Sequence, residues 1–268
     1  MTLERVHVSA VRGNGSLTFI MNRATEYLLV DISNSFTKLA FASKRRIGNS
    51  RRVPTARFNS RFCRDFIGRR TVGRVVACSV VPGKNRELEK AVGGKKVLWL
   101  KPGVKLGVGL DYPRPRSIGA DRLANAAAVA ALYGCPAIVV DFGTAVTFDI
   151  VSERRNYVGG VIAPGLEAMT DFLYERTALL PKLSLKEPQR AIGRSTVGAM
   201  RAGVVFGYRG LVREIIARIK AERFLRKRLR VVATGGYAGL IAARMPEIDA
   251  VHPNLTLEGL RIVASLNS

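Results

Sequence analysis

The sequence predicts an α/β protein of two similar lobes, and three observations carry that prediction. The first is the stretch Ile138 to Val151, where an apolar run ends on Asp141, turns through Gly143 and Thr144, and returns with alternating polarity. That is the pattern of a strand, a tight turn and a second strand. The second is an echo of it: Leu28 to Phe41 superposes without a gap 110 positions earlier, placing Asp31 on Asp141, Ser33 on Gly143, Asn34 on Thr144 and Thr37 on Thr147. The third is the alternation of β-branched apolar runs with helical segments through the rest of the chain.

A hairpin of this kind suits a phosphate. Glycine lets backbone N–H groups come close to a phosphate oxygen, threonine adds a hydroxyl, and the aspartate can face a cation or water. Asp-x-Gly-Thr at a strand end is also a plain turn, and two short buried hairpins can match by chance. As a pair they suggest two domains gripping one polyphosphate between them.

The chain's 268 residues suit one large domain or two of about 110 to 150 residues. Three units are expected: an N-terminal extension over 1–25 with little periodicity and poor order, a first domain over 26–134 and a second over 135–268. Met21 stands just before the first convincing strand and is a candidate start. A hydrophobic share of 47% with 24% charged residues indicates a globular chain. No apolar run reaches the roughly 18 residues of a membrane span, and 1–26 lacks the basic start and apolar block of a signal peptide. Cys63, Cys78 and Cys135 are odd in number and lack a Cys-x-x-Cys, as expected of reduced core thiols in a cytoplasmic protein. His7 and His252 are the only histidines, which argues against a histidine triad or zinc site and leaves acid–base chemistry to carboxylates. His252, beside Pro253, is expected to be a packing or loop residue.

The net charge is +24, and 18 Lys or Arg against three acids between Lys44 and Lys105 supply +15 of it. An anion pocket needs only a few of these, and the remainder could attract nucleic acid or acidic partners. No nucleic-acid module accompanies them, and Phe58, Phe62 and Phe66 recur at helical core spacing. A solvated basic face is the preferred reading, with nucleic acid not excluded.

In chain order, the first hairpin is followed by a helix around Ala56 to Arg69 and a strand Val72 to Val81 stopped by Pro82-Gly83. A short helix Lys84 to Val92, a strand Val97 to Leu100 and a Gly/Pro-rich loop Gly107 to Arg116 come next. An alanine-rich helix then opens at Ser117 to Gly119 and ends near Gly134. Asp121 in its first turn is a favourable charge at the positive helix end, whereas Arg122 is not and asks for an anion. An Asp-Arg pair at a cleft mouth could abstract a hydroxyl proton and hold a carboxylate. Beyond the second hairpin, Gly159 to Gly165 brackets an apolar strand, Leu166 to Thr177 is a helix, and Ser195-Thr196 reads as an N-cap or an anion site. Met200 to Arg218 is an amphipathic helix whose Gly203, Gly207 and Gly210 cost stability unless they allow close packing. Val231 to Gly236 ends a strand in a glycine turn that could admit adenosine or simply lead into a helix.

Tyr112, Gly119-Ala120-Asp121-Arg122, Asp141-Phe142-Gly143-Thr144-Ala145, Gly159 to Gly165 and Ser195 to Met200 follow one another in an order and spacing that resembles type III pantothenate kinase. Ala77 to Pro82, Thr234-Gly235-Gly236 and Pro253 to Leu260 extend the resemblance from about residue 27 to the C-terminus. It implies two ribonuclease-H-like domains of the acetate and sugar kinase, Hsp70 and actin superfamily, and a homodimer, with the Met200 helix placed at its interface. It implies transfer of the ATP γ-phosphate to the terminal hydroxyl of pantothenate, the first step of coenzyme A synthesis, with Mg²⁺ and a monovalent cation, K⁺ or NH₄⁺. Asp121 would be the general base, and Tyr112, Gly119, Ala120, Arg122 and Thr196 would form the pantothenate site with it. Asp31, Ile32, Ser33, Asn34, Ser35, Phe36, Thr37, Lys38 and Thr144 would serve ATP, and Asp141 the monovalent cation.

The chain departs from the family's Asp-x-Gly-Asn-Thr at the first hairpin, with Ser33 for glycine and Ser35 for threonine. A side chain at Ser33 is expected to crowd a phosphate or resist a positive φ, weakening ATP binding. Two alternatives stand beside the kinase: a catalytically weak regulator or nucleic-acid-binding accessory protein using the basic first domain, and a kinase of another hydroxy acid.

Overall fold

The computed structural model describes residues 8–13, 16–21, 25–225 and 227–268. A small antiparallel pair comes first, β1 (Val8–Gly13) with β2 (Ser16–Met21), where the sequence reading gave no regular element. Two mixed sheets follow, and two helices lie between them.

The first sheet has the order β5-β4-β3-β6-β7, built from β3 (Thr25–Ile32), β4 (Phe36–Ala42), β5 (Ile47–Pro54), β6 (Val72–Ser79) and β7 (Val97–Trp99). Its central strand β3 runs antiparallel to β4 and parallel to β6. Leu28, Val30 and Ile32 face one side, under Phe58, Cys63 and Leu88 from α1 (Ser60–Ile67), the turn before it and α2 (Pro82–Ala91). Tyr27 and Leu29 face the other side, toward the second half of the molecule. A strand buried on both faces needs an unbroken apolar run, and Tyr27 to Val30 supplies one. The expected core role of the aromatics holds: Phe58 is buried, Phe66 stacks on Phe41 at 4.8 Å, and Phe58 meets Phe62 edge-on.

The second sheet has the order β13-β12-β9-β10-β11-β8. Chain order through this half runs β8 (Gly109–Leu110), α3 (Ala120–Leu132), β9 (Ala137–Phe142), β10 (Ala145–Val151), β11 (Asn156–Pro164), α4 (Leu166–Arg176), α5 (Thr196–Arg223), β12 (Arg230–Gly235), α6 (Ala238–Ile241), β13 (Ala250–Val251) and α7 (Leu255–Leu266). Ile138, Val140 and Phe142 face outward to Val205 and Tyr208 of α5, while Ala137 and Val139 face inward. β8 lies inside the expected Gly107–Arg116 loop and joins this sheet through β11. α7, the last element, packs on β3 of the first sheet. The chain therefore crosses between its halves on both sides of residue 134. α5 extends the amphipathic Met200 to Arg218 stretch at both ends, and its start bears out the N-cap reading of Ser195, whose side chain accepts the Gly198 N–H at 3.1 Å.

α3 and α7 fill the space between the sheets. Eight consecutive residues of α3, Leu123 to Ala130, are buried, and seven of them are apolar. Small side chains make this possible, because α3 must fit between two sheets and against α7. The tightest point is Gly259, where a Cβ would lie 2.0 Å from the Ala124 carbonyl oxygen. Gly259→Ala should therefore destabilise the fold by about 1–3 kcal/mol, the usual range for overpacking. In urea unfolding the midpoint should fall with little change in slope. A midpoint equal to that of the unmodified protein would show that the two helices are not so tightly apposed.

Candidate active site

The turns of the two matched hairpins meet. Ser35, between β3 and β4, and Thr144, between β9 and β10, share a hydrogen bond of 2.7 Å between their hydroxyls. Each leading strand carries an aspartate one residue before its end: Asp31 in β3 and Asp141 in β9. The first turn of α3 brings a third, Asp121, close enough to act electrostatically on both. Burial lifts the Asp31 carboxyl to about 6, against the pull of Lys38 and of the Ser33 hydroxyl, which donates to it at 2.8 Å. Burial raises Asp141 as well, opposed by the amide of Asn125, which donates at 3.1 Å. Asp121 is raised by the same cause, even though one of its oxygens accepts the Arg122 backbone N–H at 2.8 Å. Three buried, mutually repelling carboxylates favour a cation or a proton among them.

The two oxygens of Asp141 have different surroundings. One oxygen is held by Asn125, which is fully buried on α3 and is itself held by the Thr256 hydroxyl at 3.0 Å. Its other oxygen lies 2.5 Å from where a Cβ on Gly235 would sit, so only a glycine, here at φ +95°, lets the end of β12 pack this closely on the carboxylate. A carboxylate oxygen is a donor that could serve a hard cation.

Arg122 meets an anion within the chain. Its Nε donates to Asp149 Oδ1 at 2.6 Å, and the Tyr157 hydroxyl donates to the same oxygen at 3.3 Å. Asp149 is completely buried on β10. Burial pushes its carboxyl up to about 7, against the guanidinium's pull, while Asp149 overrides the effect of burial on Arg122 and holds its proton more firmly. A guanidinium keeps its charge at any ordinary pH, and at 2.6 Å it forms a salt bridge with Asp149. One nitrogen, Arg122 Nη2, is buried with no partner. It lies 2.1 Å from where a Cβ on Gly160 would stand, so the glycine gives that arm its place. A buried unpaired N–H is a costly group, and a water or ligand acceptor would satisfy it.

The remaining sequence-predicted residues are distributed around this centre. Gly119 precedes Asp121, where a Cβ would fall 2.6 Å from the Asp121 carboxylate, and Ala120 opens the helix. Tyr112 packs edge-on against Tyr157 at 5.9 Å, beside Arg122. Asn34 and Ser35 are exposed at the turn. Ile32 is buried under α1 and α2, and Thr37 is buried against the Thr55 hydroxyl at 3.0 Å, so these two offer a ligand only backbone. Phe36 lies under the guanidinium of Arg52. Ser33 does not carry the strain expected of it: among the described residues Arg155 is the only non-glycine at positive φ, and the Ser33 hydroxyl serves Asp31. Thr196 lies exposed in the first turn of α5 and has no hydrogen bond to the Asp121 group. Asn125, Asp149, Tyr157 and Thr256 were missed. Asn125 sits in an alanine run and Asp149 in an apolar strand, and a polar residue in each such setting was the signal available. His252 is a packing residue as expected, bonded to the Tyr133 hydroxyl at 2.9 Å. Cys63 and Cys78 are buried free thiols, and Cys135 is half-buried.

A family profile described as type III pantothenate kinase matches residues 27–218. A protein of that name from Akkermansia muciniphila is 50% identical over 242 residues, covering 90% of this chain and 99% of its own. One from Methylacidiphilum infernorum is 44% identical, covering 89% of this chain and 88% of its own. Among solved structures, a Campylobacter jejuni protein assigned to the Baf family of transcriptional activators superposes with a TM-score of 0.59 at 20% identity, over 90% of this chain and 98% of its own. The activator of 2-hydroxyisocaproyl-CoA dehydratase from Clostridium difficile, with ADPNP bound, gives 0.51 at 12% identity, over 90% of this chain and 93% of its own. At these identities the structural matches establish the fold, two ribonuclease-H-like domains.

The buried pair makes a prediction of its own. Asp149→Asn leaves a charged Arg122 buried without its partner and should cost about 3–5 kcal/mol. Joining it to Arg122→Met should restore much of that loss in urea unfolding. If the double variant is no more stable than Asp149→Asn alone, the two side chains do not form an ionic pair.

Proposed function

The chain belongs to the type III pantothenate kinase family, and from that premise we propose the roles its residues play. The protein phosphorylates pantothenate at the expense of ATP, opening coenzyme A synthesis. The observation that supports the site assignment is the convergence of Asp121 with Asp31 and Asp141 beneath two touching hairpin turns. Phosphoryl transfer asks a protein mainly for alignment, charge neutralisation and a carboxylate near the attacking hydroxyl. In this reading Asp121 takes the proton from the pantothenate hydroxyl, and its raised pKa makes it a better base than an exposed carboxylate. The unpartnered Arg122 Nη2 and Thr196 bind pantothenate, with Tyr112 as an apolar wall. The ATP phosphates lie between the residue 31–38 turn and Thr144, and Asp31 and Lys38 set the charge there. Mg²⁺ bound with ATP would neutralise its phosphates, and Asp141 would hold the monovalent cation, K⁺ or NH₄⁺.

The homodimer and a cytoplasmic site of action belong to the same proposal. The exposed side of α5 carries Gly203, Phe206 and Gly207, which suits close packing of a second copy. Among the described residues no helix is long and apolar enough to cross a membrane. The regulator reading is not favoured, since the relatives at 44–50% identity are named as kinases.

Purified protein with ATP, Mg²⁺ and pantothenate should form 4'-phosphopantothenate, and Asp121→Asn should lower kcat at least about 100-fold, the lower end for a general base. The acid limb of kcat/KM should lie above the ordinary carboxylate range. The sign follows from the base acting only when ionised: burial raises its pKa, so activity is lost earlier as pH falls. Asp121→Asn retaining a tenth of the activity, or keeping the limb, would remove Asp121 from this role. Asp141→Asn should abolish stimulation by K⁺ or NH₄⁺ while leaving a basal rate. Undiminished stimulation would place the cation elsewhere.

A further inference from the structure

The face of the first sheet that looks across the cleft carries more than the matched hairpin. Asp31 pairs with Lys38 in the β3–β4 register, and Lys38 pairs with Arg52 in the β4–β5 register. Directly opposed residues on neighbouring strands point to the same side of a sheet. Asp31, Lys38 and Arg52 therefore form one row that faces the second lobe. Lys38 reaches that lobe, where its ammonium donates to the Pro253 carbonyl at 3.3 Å. Arg52 reaches it too: its Nη1 lies 3.9 Å from where a Cβ on Gly236 would stand, in the turn after β12, and its charge is felt at the Tyr237 hydroxyl.

Arg52 is held in that pose by a ring, not by an acid. Its guanidinium carbon sits 3.7 Å from the centroid of Phe36, the residue closing the first hairpin turn. Among the described residues it has neither an ion pair nor a hydrogen bond, and its side chain is open to solvent. A guanidinium stacked on an aromatic face keeps its edge N–H groups free for an oxyanion. The turns it overlooks are those of the cleft: Tyr237 N–H donates to the Phe142 carbonyl at 3.3 Å, and Gly235 borders Asp141.

We propose that Arg52, carried on Phe36, is a nucleotide-binding residue that neutralises the polyphosphate of ATP from the edge strand of the first lobe. This rests on the kinase reading and adds a residue to it. It also assigns Phe36 a part as the platform and gives one charge of the basic Lys44 to Lys105 segment a defined task. Ser33 and Ser35 stand where the family's hairpin has glycine and threonine, and Arg52 adds a second cation beside Lys38 in the same row.

ATP binding to the full-length protein, measured by calorimetry at several salt concentrations for the unmodified protein, Arg52→Gln and Arg52→Lys, tests this. Arg52→Gln should weaken ATP about tenfold, the worth of one charge-assisted hydrogen bond. It should flatten the salt dependence, while Arg52→Lys keeps most of the affinity. Melting temperature and the KM for pantothenate should stay unchanged in both. An ATP affinity for Arg52→Gln within about twofold of the unmodified protein overturns the proposal. So does an equal loss in both variants with a lowered melting temperature, which would mean that Arg52 only props up β5. If the unmodified protein binds no ATP and makes no product, the kinase reading fails, and this inference fails with it.

Discussion

The packing of α3 between the two sheets, pressed against α7 at Gly259, is the constraint on which the rest of the structure depends. α3 has no freedom to shift, because its buried side chains are fixed by Leu29 and Val76 on one side and Val139 and Tyr157 on the other. Asp121 and Arg122 lie in its first turn, and Asn125 is one turn further along. The helix that holds the lobes together therefore also places the carboxylate, the guanidinium and the amide that orients Asp141. A sub-ångström displacement of α3 would reach all three at once.

Charge distribution in the cleft follows the same economy. Asp31, Asp121, Asp141 and Asp149 act on one another, and they carry raised pKa values because burial disfavours their ionised forms. Each has a different remedy. Asp149 has Arg122, Asp141 has Asn125, Asp31 has Lys38 and Ser33, and Asp121 has the backbone N–H groups of its own helix turn and the nearby Arg122 charge. Holding such groups together opposes stability, and the apolar core between the sheets offsets that cost.

Much of this was legible in the sequence for a physical reason. The two hairpins are local, their strands alternate or run apolar as burial demands, and the turn residues Gly143 and Thr144 mark their ends. The α3 register was legible from its alanines, as was the first-turn position of Asp121. What was not legible depended on long-range pairing. Arg122 was seen to need an anion, but Asp149 lies 27 positions away on another element. The Asn125–Thr256 bond spans 131 positions. Ser33 was expected to be strained by comparison with a glycine, yet its backbone is ordinary and its hydroxyl has a partner, which only coordinates reveal. β8 is two residues long, too short to give a period, and exists because β11 offers it an edge.

In the proposed arrangement Asp121 faces the acceptor hydroxyl while the two hairpins hold the donor. A crystal structure of the protein with a non-hydrolysable ATP analogue and pantothenate tests this most directly. The terminal hydroxyl should lie about 3 Å from an Asp121 carboxylate oxygen, with the triphosphate between the residue 31–38 turn and Thr144. A hydroxyl held by another residue, or a triphosphate bound outside the two turns, would contradict it.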